Sequence, residues 1–430
     1  MLCQFTVKNF KSIRDEATFD MQAAAISEHE DRIIIDKDEE KYLPVSAIYG
    51  PNGGGKSNVL AALHTLVAKV LRPLFATEDN EEKVSFQKRI IVEPFAFSEN
   101  KNEPTEFELF FRTTVSEYRY ILHVKRDMVL YESLDRVRLE TGRKSALFIR
   151  DENGTALKGA FEKLKVSEGL SKTLTLLSYL GIAYKGNAVV RDVLSWFEYG
   201  IEFLNYGNPA QELKMAVSTS GAVKKLMLQM IQEMDLDIVD FRVEEKENDR
   251  IDIFTKHCVD DVEAEINLFD ESSGTQKLFG LLPFIAESLI TGTVLVIDEL
   301  DAKIHPILLR HIIMMFNDMS INRHKAQLIF TSHDLSTMNS EVFRRDEIWF
   351  VAKGKAQNSK LYSLVEFKFE RKTFKLLIGG STASNACSMQ GYKNEKGESV
   401  RKDAKFDKQY LEGKYGADPY LRRIVDWGNV

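Results

Sequence analysis

The chain has 430 residues, enough for two or three packed units. Hydrophobic residues make up 44% and charged residues 29%, an ordinary balance for a globular protein with a sizeable core, and no stretch approaches about eighteen consecutive apolar residues, so no membrane-spanning helix is expected. The formal net charge of −7 and sequence pI of about 5.8 count against a dedicated duplex-DNA binder, because phosphate neutralisation calls for a basic surface, although a local basic stripe remains compatible.

The N-terminus, MLCQFTVKNFKS, alternates like a strand and lacks the apolar stretch of a signal peptide. Cys3, Cys258 and Cys387 lie far apart and form no CxxC pair. They read as reduced thiols of a cytoplasmic protein, without a disulfide framework or a zinc site. His257 stands beside Cys258 but has no second ligand pair at metal spacing, and reads as incidental.

In chain order, residues 2–8 predict a first strand, and ATFDM, ending at Met21, a partner for it. Residues 22–42 are polar and charged, the pattern of a mobile loop. VSAIYG at 45–50 predicts a buried strand, and the apolar spacing over 56–72 predicts a helix with Pro73 just beyond its end. RIIVEPFAF, TEFELFFRT, YRYILHVK and MVLYESLDRVRL, within 89–139, predict an antiparallel meander. From about 155 to 245 the pattern turns helical, and 240–270 reads as strand again. Residues 275–291 and 306–318 predict helices. TVLVI, AQLIF and DEIWFVAK predict further buried strands. Heptads are not sustained, so the middle segment reads as a compact insert and not a coiled-coil arm.

GPNGGGKS at Gly50–Ser57 fits the phosphate-binding pattern G-x-x-x-x-G-K-[ST]. Glycines let backbone amides approach phosphate oxygens, and the following helix points its positive end at the same anion. The candidate nucleotide contacts are Asn52, Gly53, Gly54, Gly55, Lys56, Ser57 and Asn58. Lys56 is expected on the β- and γ-phosphates, and the Ser57 hydroxyl on Mg²⁺. TVLVIDEL at Thr293–Leu300 carries two acids at the end of an apolar strand, where ligands of parallel sheets sit. Asp298 is the second candidate metal ligand. Glu299 is the candidate that polarises the attacking water. His333, in TSHD at another strand end, is placed to sense the γ-phosphate or orient that water. The competing readings are a chance glycine turn, acids that cap a strand and a structural histidine.

ESSGTQK at Glu271–Lys277, before an amphipathic helix, resembles the signature motif of ABC-type ATPases in the relaxed form of SMC/RecF-like heads. Alone, such a stretch is more often a helix cap. The resemblance implies that Ser273 and Gly274, with Ser272 beside them, contact the γ-phosphate held by a second copy. VKNFKS (Val7–Ser12) resembles the N-terminal segment of the same superfamily and makes Lys11 a candidate nucleotide contact. GPNGGGKSN, IDELDAKIHP, TSHD, RRDEIWFV and FDKQYLEGKYGADPYL together resemble AAA-15 type proteins, including abortive-infection proteins of the AbiLi/RloA kind. In IDELDAKIHP the resemblance sets Asp301 in a dimer-facing loop with His305 after it. No motif marks a glutamine loop, and Gln87 is the candidate for it.

This implies an α/β ABC-type P-loop ATPase head with a mixed sheet, an antiparallel β-subdomain and an inserted helical subdomain. The expected parts are 1–150 (phosphate loop and β-subdomain), 151–265 (helical insert), 266–370 (signature, carboxylates and His333) and 371–430 (C-terminal segment). The implied activity is Mg²⁺-dependent hydrolysis of ATP to ADP and phosphate in an ATP-linked homodimer or assembly of dimers. In anti-phage defence such a switch would act on a separate effector, such as a TOPRIM or HNH nuclease. The segment after His333 shows no acidic strand-end constellation for a nuclease of its own. The alternatives are a RecF-like DNA-repair ATPase bound to nucleic acid and an ATP-stabilised scaffold with slow turnover.

Overall fold

The computed structural model describes residues 1–75, 90–97, 103–204, 221–234, 238–246, 250–259, 262–354, 356–366, 368–369, 398–400, 404–411 and 415. Leu2–Lys8 (β1) and Ala17–Asp20 (β2) pair antiparallel. The segment expected to be a mobile loop follows and is tied down. Ile34–Ile35 (β3) and Lys41–Tyr42 (β4) form a short ladder within it. Val45–Tyr49 (β5) then runs through the glycine loop into Lys56–Phe75 (α1). Pro73 lies inside this helix and not beyond it. So near the end, a proline removes only a backbone bond that the last turn can spare. By length and composition α1 is apolar enough to cross a membrane, yet Val59, Leu63, Leu66 and Val70 are buried core residues.

Thr105–Arg112 (β6), Ser116–Lys125 (β7), Met128–Arg138 (β8), Lys144–Asp151 (β9) and Gly154–Leu157 (β10) form the expected antiparallel meander, and β6 pairs with β1. RIIVEPFAF does not join it. Residues 90–97 run irregularly, with Val92 donating to the Arg126 carbonyl at 2.7 Å. Pro94 has no N–H for a ladder, which explains the miss.

The stretch 151–265, expected as a helical insert, divides among three surroundings. Leu176–Ala183 (α2) and Ala188–Tyr199 (α3) pack on α1. Ile201–Leu204 (β11) joins the core sheet beside Val294–Ile297 (β15). After Gly221–Glu233 (α4) come Ile238–Lys246 (β12), Arg250–Val259 (β13) and Val262–Asn267 (β14), a separate three-stranded sheet. Helical periodicity does not see β11, because a four-residue apolar run becomes a strand only when a partner edge is present.

Ser273–Thr291 (α5) leads to β15; Pro306–Asn317 (α6) leads to Gln327–Thr331 (β16). Ile348–Lys353 (β17) and Ser359–Ser363 (β18) complete a six-stranded sheet in the order β11-β15-β16-β5-β17-β18. Its first five strands are parallel and β18 is antiparallel. Phe406–Leu411 (α7) lies near β17, with Tyr410 and Tyr415 stacked on Phe350 at 5.6 and 5.1 Å.

Two cores follow from side-chain alternation along strands buried on both faces. Ala47, Tyr49, Leu295, Ile297, Leu328 and Phe330 face α4, α5 and α6. Ile48, Val294, Val296, Ile329, Trp349 and Val351 face α1, α2, α3 and the seven-stranded sheet. Gln327 ties the two sheets: its amide nitrogen donates to the carbonyls of Leu2 and Leu43, each at 3.1 Å, and its oxygen accepts from Leu2 N–H at 2.7 Å.

The polar loop between β2 and β5 is clamped by the segment before β17. His29 bonds the Ser340 carbonyl at 2.7 Å, and Arg345 pairs with Glu28 at 2.7 Å. The fully buried Arg344 pairs with Asp346 and donates to the Glu28 carbonyl. Glu347 is buried beside them. One of its oxygens accepts from Arg344 N–H at 2.8 Å and the other, Oε1, has no partner. Burial, then the Asp346 charge, push its carboxyl up to about 8. A raised carboxyl pKa favours the folded state below the unfolded value of about 4.5 and loses that contribution as pH rises through about 8. Denaturant unfolding across this window should show the wild type losing stability and Glu347→Gln losing less; parallel curves would mean that Glu347 is not protonated in the folded chain.

Candidate functional site

The phosphate loop is built by close approach. A Cβ at Gly50 would lie 2.4 Å from the Val351 carbonyl oxygen, and one at Gly55 would lie 2.3 Å from Ser359 Oγ. Gly53 and Gly55 also have φ of 71° and 111°, a region that favours glycine. Behind the loop, hydroxyls form a connected chain. Asn58 Nδ2 donates to Ser12 Oγ at 2.7 Å, Ser12 and Ser359 hydroxyls meet at 2.8 Å, and Ser359 donates to the Gly54 carbonyl at 2.6 Å. The Ser359 hydroxyl thus has both Ser12 Oγ and the Gly54 carbonyl oxygen within reach as acceptors for its one proton.

Lys56, the first residue of α1, is buried and turned back over the loop. Its ammonium donates to the Gly50 carbonyl at 2.8 Å and lies 3.5 Å from His333 Nδ1. Burial pulls this ammonium below the ordinary lysine range, and the charges of Asp298, Glu299 and Asp301 oppose the shift. Those three acids follow β15 in one turn. Thr331, at the end of β16, holds the first two: its hydroxyl donates to Asp298 Oδ1 at 2.6 Å and accepts from Glu299 N–H at 2.7 Å. Asp301 Oδ2 accepts from His333 N–H at 3.0 Å, while its buried Oδ1 has no partner. Glu299 has a φ of 53°, a conformation that costs about 1–3 kcal/mol in a non-glycine residue. Its exposed carboxylate has no hydrogen-bond partner among the described residues.

The fold therefore brings Lys56, Asp298, Glu299 and His333 to one place, with Ser57 exposed at the start of α1. Asn52 and Gly53 are exposed at the tip of the same loop. Lys11 sits one residue from Ser12, in a left-handed turn with a φ of 46°, its exposed ammonium 5.5 Å from the Phe10 ring. Ser273 and Gly274 are not brought in. Among the described residues no hydrogen bond links Ser272–Gly274 to Gly50–Asn58. Ser272 caps α5, accepting from Thr275 N–H at 3.1 Å, and a Cβ at Gly274 would lie 3.4 Å from the Lys303 carbonyl. His305 caps α6. Gln87 lies outside the described residues.

Residue patterns did not single out the bracing hydroxyls. Ser12 and Thr331 stand inside noticed motifs, but Ser359 is an ordinary strand serine some three hundred residues from the loop it holds.

A parallel sheet in which β5 feeds a glycine loop and helix, with carboxylates at the end of β15 on the far side of β16, defines an α/β P-loop ATPase fold. Residues 45–339, more than half of the chain, match the family described as "AAA domain, putative AbiEii toxin, Type IV TA system", and the chain belongs to that family. Solved structures similar to it include an SMC head bound to the C-winged helix domain of ScpA, at 13% identity and a TM-score of 0.45, covering 84% of this chain and 97% of that one. The SMC head domain from Thermotoga maritima is 16% identical with a TM-score of 0.41, covering 84% and 98%. An Smc head with an extended coiled coil, bound to the C-terminal domain of ScpA derived from Pyrococcus furiosus, is 13% identical with a TM-score of 0.38, covering 84% and 96%. No curated protein matches the chain at a significant level.

Ser359→Ala removes the link between Ser12 and Gly54. Titration with a fluorescent nucleotide should show affinity falling about three- to tenfold, the equivalent of roughly one hydrogen bond. Unchanged affinity would mean that the hydroxyl chain does not set the loop.

Proposed function

We propose that the chain is a Mg²⁺-dependent ATP hydrolase whose ATP-bound form pairs two copies and thereby switches a separately encoded effector in defence against phage. The observation that carries the reading is the meeting of the Lys56 ammonium with His333, Asp298 and Glu299 around one glycine loop. Lys56 now rests on the Gly50 carbonyl and would exchange that contact for the phosphates of ATP. The donor set fits a magnesium ion: the Ser57 hydroxyl is exposed, and Asp298 uses only Oδ1 toward Thr331. When bound, the ion neutralises phosphate charge.

Glu299 then takes a proton from the attacking water, and the left-handed backbone at this residue supports a carboxylate held for that task. His333 holds its place through Asp301 and orients either the water or the terminal phosphate. Water adds to the γ-phosphorus as the bond to the β–γ bridging oxygen breaks, giving ADP and inorganic phosphate. The exposed Ser273 and half-buried Gly274, without a bond to their own loop, support a site completed by a second copy. The family description, which names a toxin of a type IV toxin–antitoxin system, supports the defence setting and a separate partner protein. The overall acidity of the chain supports a protein effector over duplex DNA as that partner.

Glu299→Gln should bind ATP normally and hydrolyse it about 10²- to 10⁴-fold more slowly, and its ATP-bound pair should persist. Phosphate-release kinetics check this; wild-type turnover would pass the water-activating role to another group, His333 first.

The shared site is tested by mixing. Gly274→Asp should bind nucleotide yet lose ATP-driven pairing, because its carboxylate would face the γ-phosphate. Lys56→Ala alone should lose turnover. Mixed with Gly274→Asp, it would give dimers with one intact site, and part of the hydrolysis should return. Light scattering with and without ATP reads the pairing. Normal hydrolysis by Gly274→Asp at every protein concentration would end the shared-site reading.

A further inference from the structure

We infer that Glu271 is a positioning residue for the signature turn, clasped by Thr255 and His257 of β13 so that Ser273 and Gly274 stand where a second copy needs them. The inference rests on the reading that these two residues complete the partner's phosphate site. Glu271 directly precedes the α5 cap, Ser272. Its Oε1 accepts from the Thr255 hydroxyl at 2.5 Å and meets His257 Nε2 at 2.7 Å. Thr255 is fully buried, while the side chains of Glu271 and His257 are 12% and 17% exposed, so water competes little for these bonds. With Nε2 as the donor, the imidazole presents an N–H to the carboxylate whether it is neutral or charged.

The turn is gripped from its other side as well. The Gln276 amide, in the first turn of α5, donates to the carbonyls of Phe269 and Glu271 at 3.0 and 2.8 Å. Asn267, the last residue of β14, caps the turn at Leu268–Asp270 by accepting from Phe269 N–H at 3.0 Å. The run from 268 to 272 is thus fixed between the three-stranded sheet and α5, and Glu271 ties it to β13 by side-chain hydrogen bonds. Thr255 and His257 lie on the sheet face that carries the buried Phe241 and Ile238, by the pairings Phe241↔Thr255 and Ile238↔His257. A shift of this sheet against α5 therefore moves the residue next to Ser272. Since a misplacement of about 1 Å at a reacting site can cost about 10²-fold, the clasp controls turnover more than folding.

The test uses the full chain and ATP. Glu271→Ala should bind nucleotide within about twofold of the wild type, because Gly50–Ser57 is untouched, while ATP-driven pairing and turnover fall about ten- to a hundredfold. Glu271→Gln keeps an oxygen for both donors and should restore most of the turnover. Should Glu271→Ala not fold, His257→Ala carries the same comparison. Wild-type turnover in Glu271→Ala, alongside an inactive Gly274→Asp, would overturn the clasp and leave the shared site standing. Wild-type turnover in both would overturn the shared site and the clasp with it. Equal losses of affinity and turnover would also overturn the clasp, since a general loosening of the fold would then suffice.

Discussion

Everything at this site depends on how tightly the glycine loop is wedged between its neighbours. On one side the Val351 carbonyl leaves no room for a side chain at Gly50; on the other, Ser359 and Ser12 leave none at Gly55. The loop thus cannot relax into an ordinary turn, and the first turn of α1 must point its free amides outward. The Lys56 ammonium rests on the Gly50 carbonyl at the same opening, beside His333 and within the field of the acids after β15. A single parallel sheet delivers all of these groups because β15, β16 and β5 end on the same side.

The wedge holds because polar groups buried between the layers are satisfied. Gln327 spends its whole amide on backbone atoms of Leu2 and Leu43, and so fixes the seven-stranded sheet against β16. The fully buried Glu132 accepts from the amides of Leu176 and Leu177 at 2.5 and 3.0 Å, and so docks α2 onto the same sheet. Such groups are costly when unpaired, so each admits one arrangement of the layers around α1. The turn carrying Ser12 belongs to the outer sheet, whereas Ser359 belongs to the core sheet. Their meeting beneath the loop is a consequence of that fixed layering.

The expected helical insert and the expected strand at 89–97 show where local pattern misleads. Periodicity reports what a segment would bury, and not which surface is available to bury it against. IEFL became a strand because β15 offered an edge, and RIIVEPFAF failed to become one because Pro94 interrupts its ladder. The polar run 22–42 looked mobile because its anchors, Arg344 and Arg345, lie some three hundred residues away.

The sequence by itself determined the ATPase class and marked the glycine loop at Gly50–Ser57 and the acids Asp298 and Glu299 as candidates, since these chemistries need fixed residue types at short spacings along the chain. It also marked the central apolar strands, because burial on both faces leaves a continuous hydrophobic run. Only the tertiary structure decided that Thr331 organises the carboxylates, that Ser359 braces the loop and that Glu271 is held by Thr255 and His257. Each of these is a contact between segments that sheet order brings together, and a hydroxyl or carboxylate bears no mark in the chain of the distant partner it will meet.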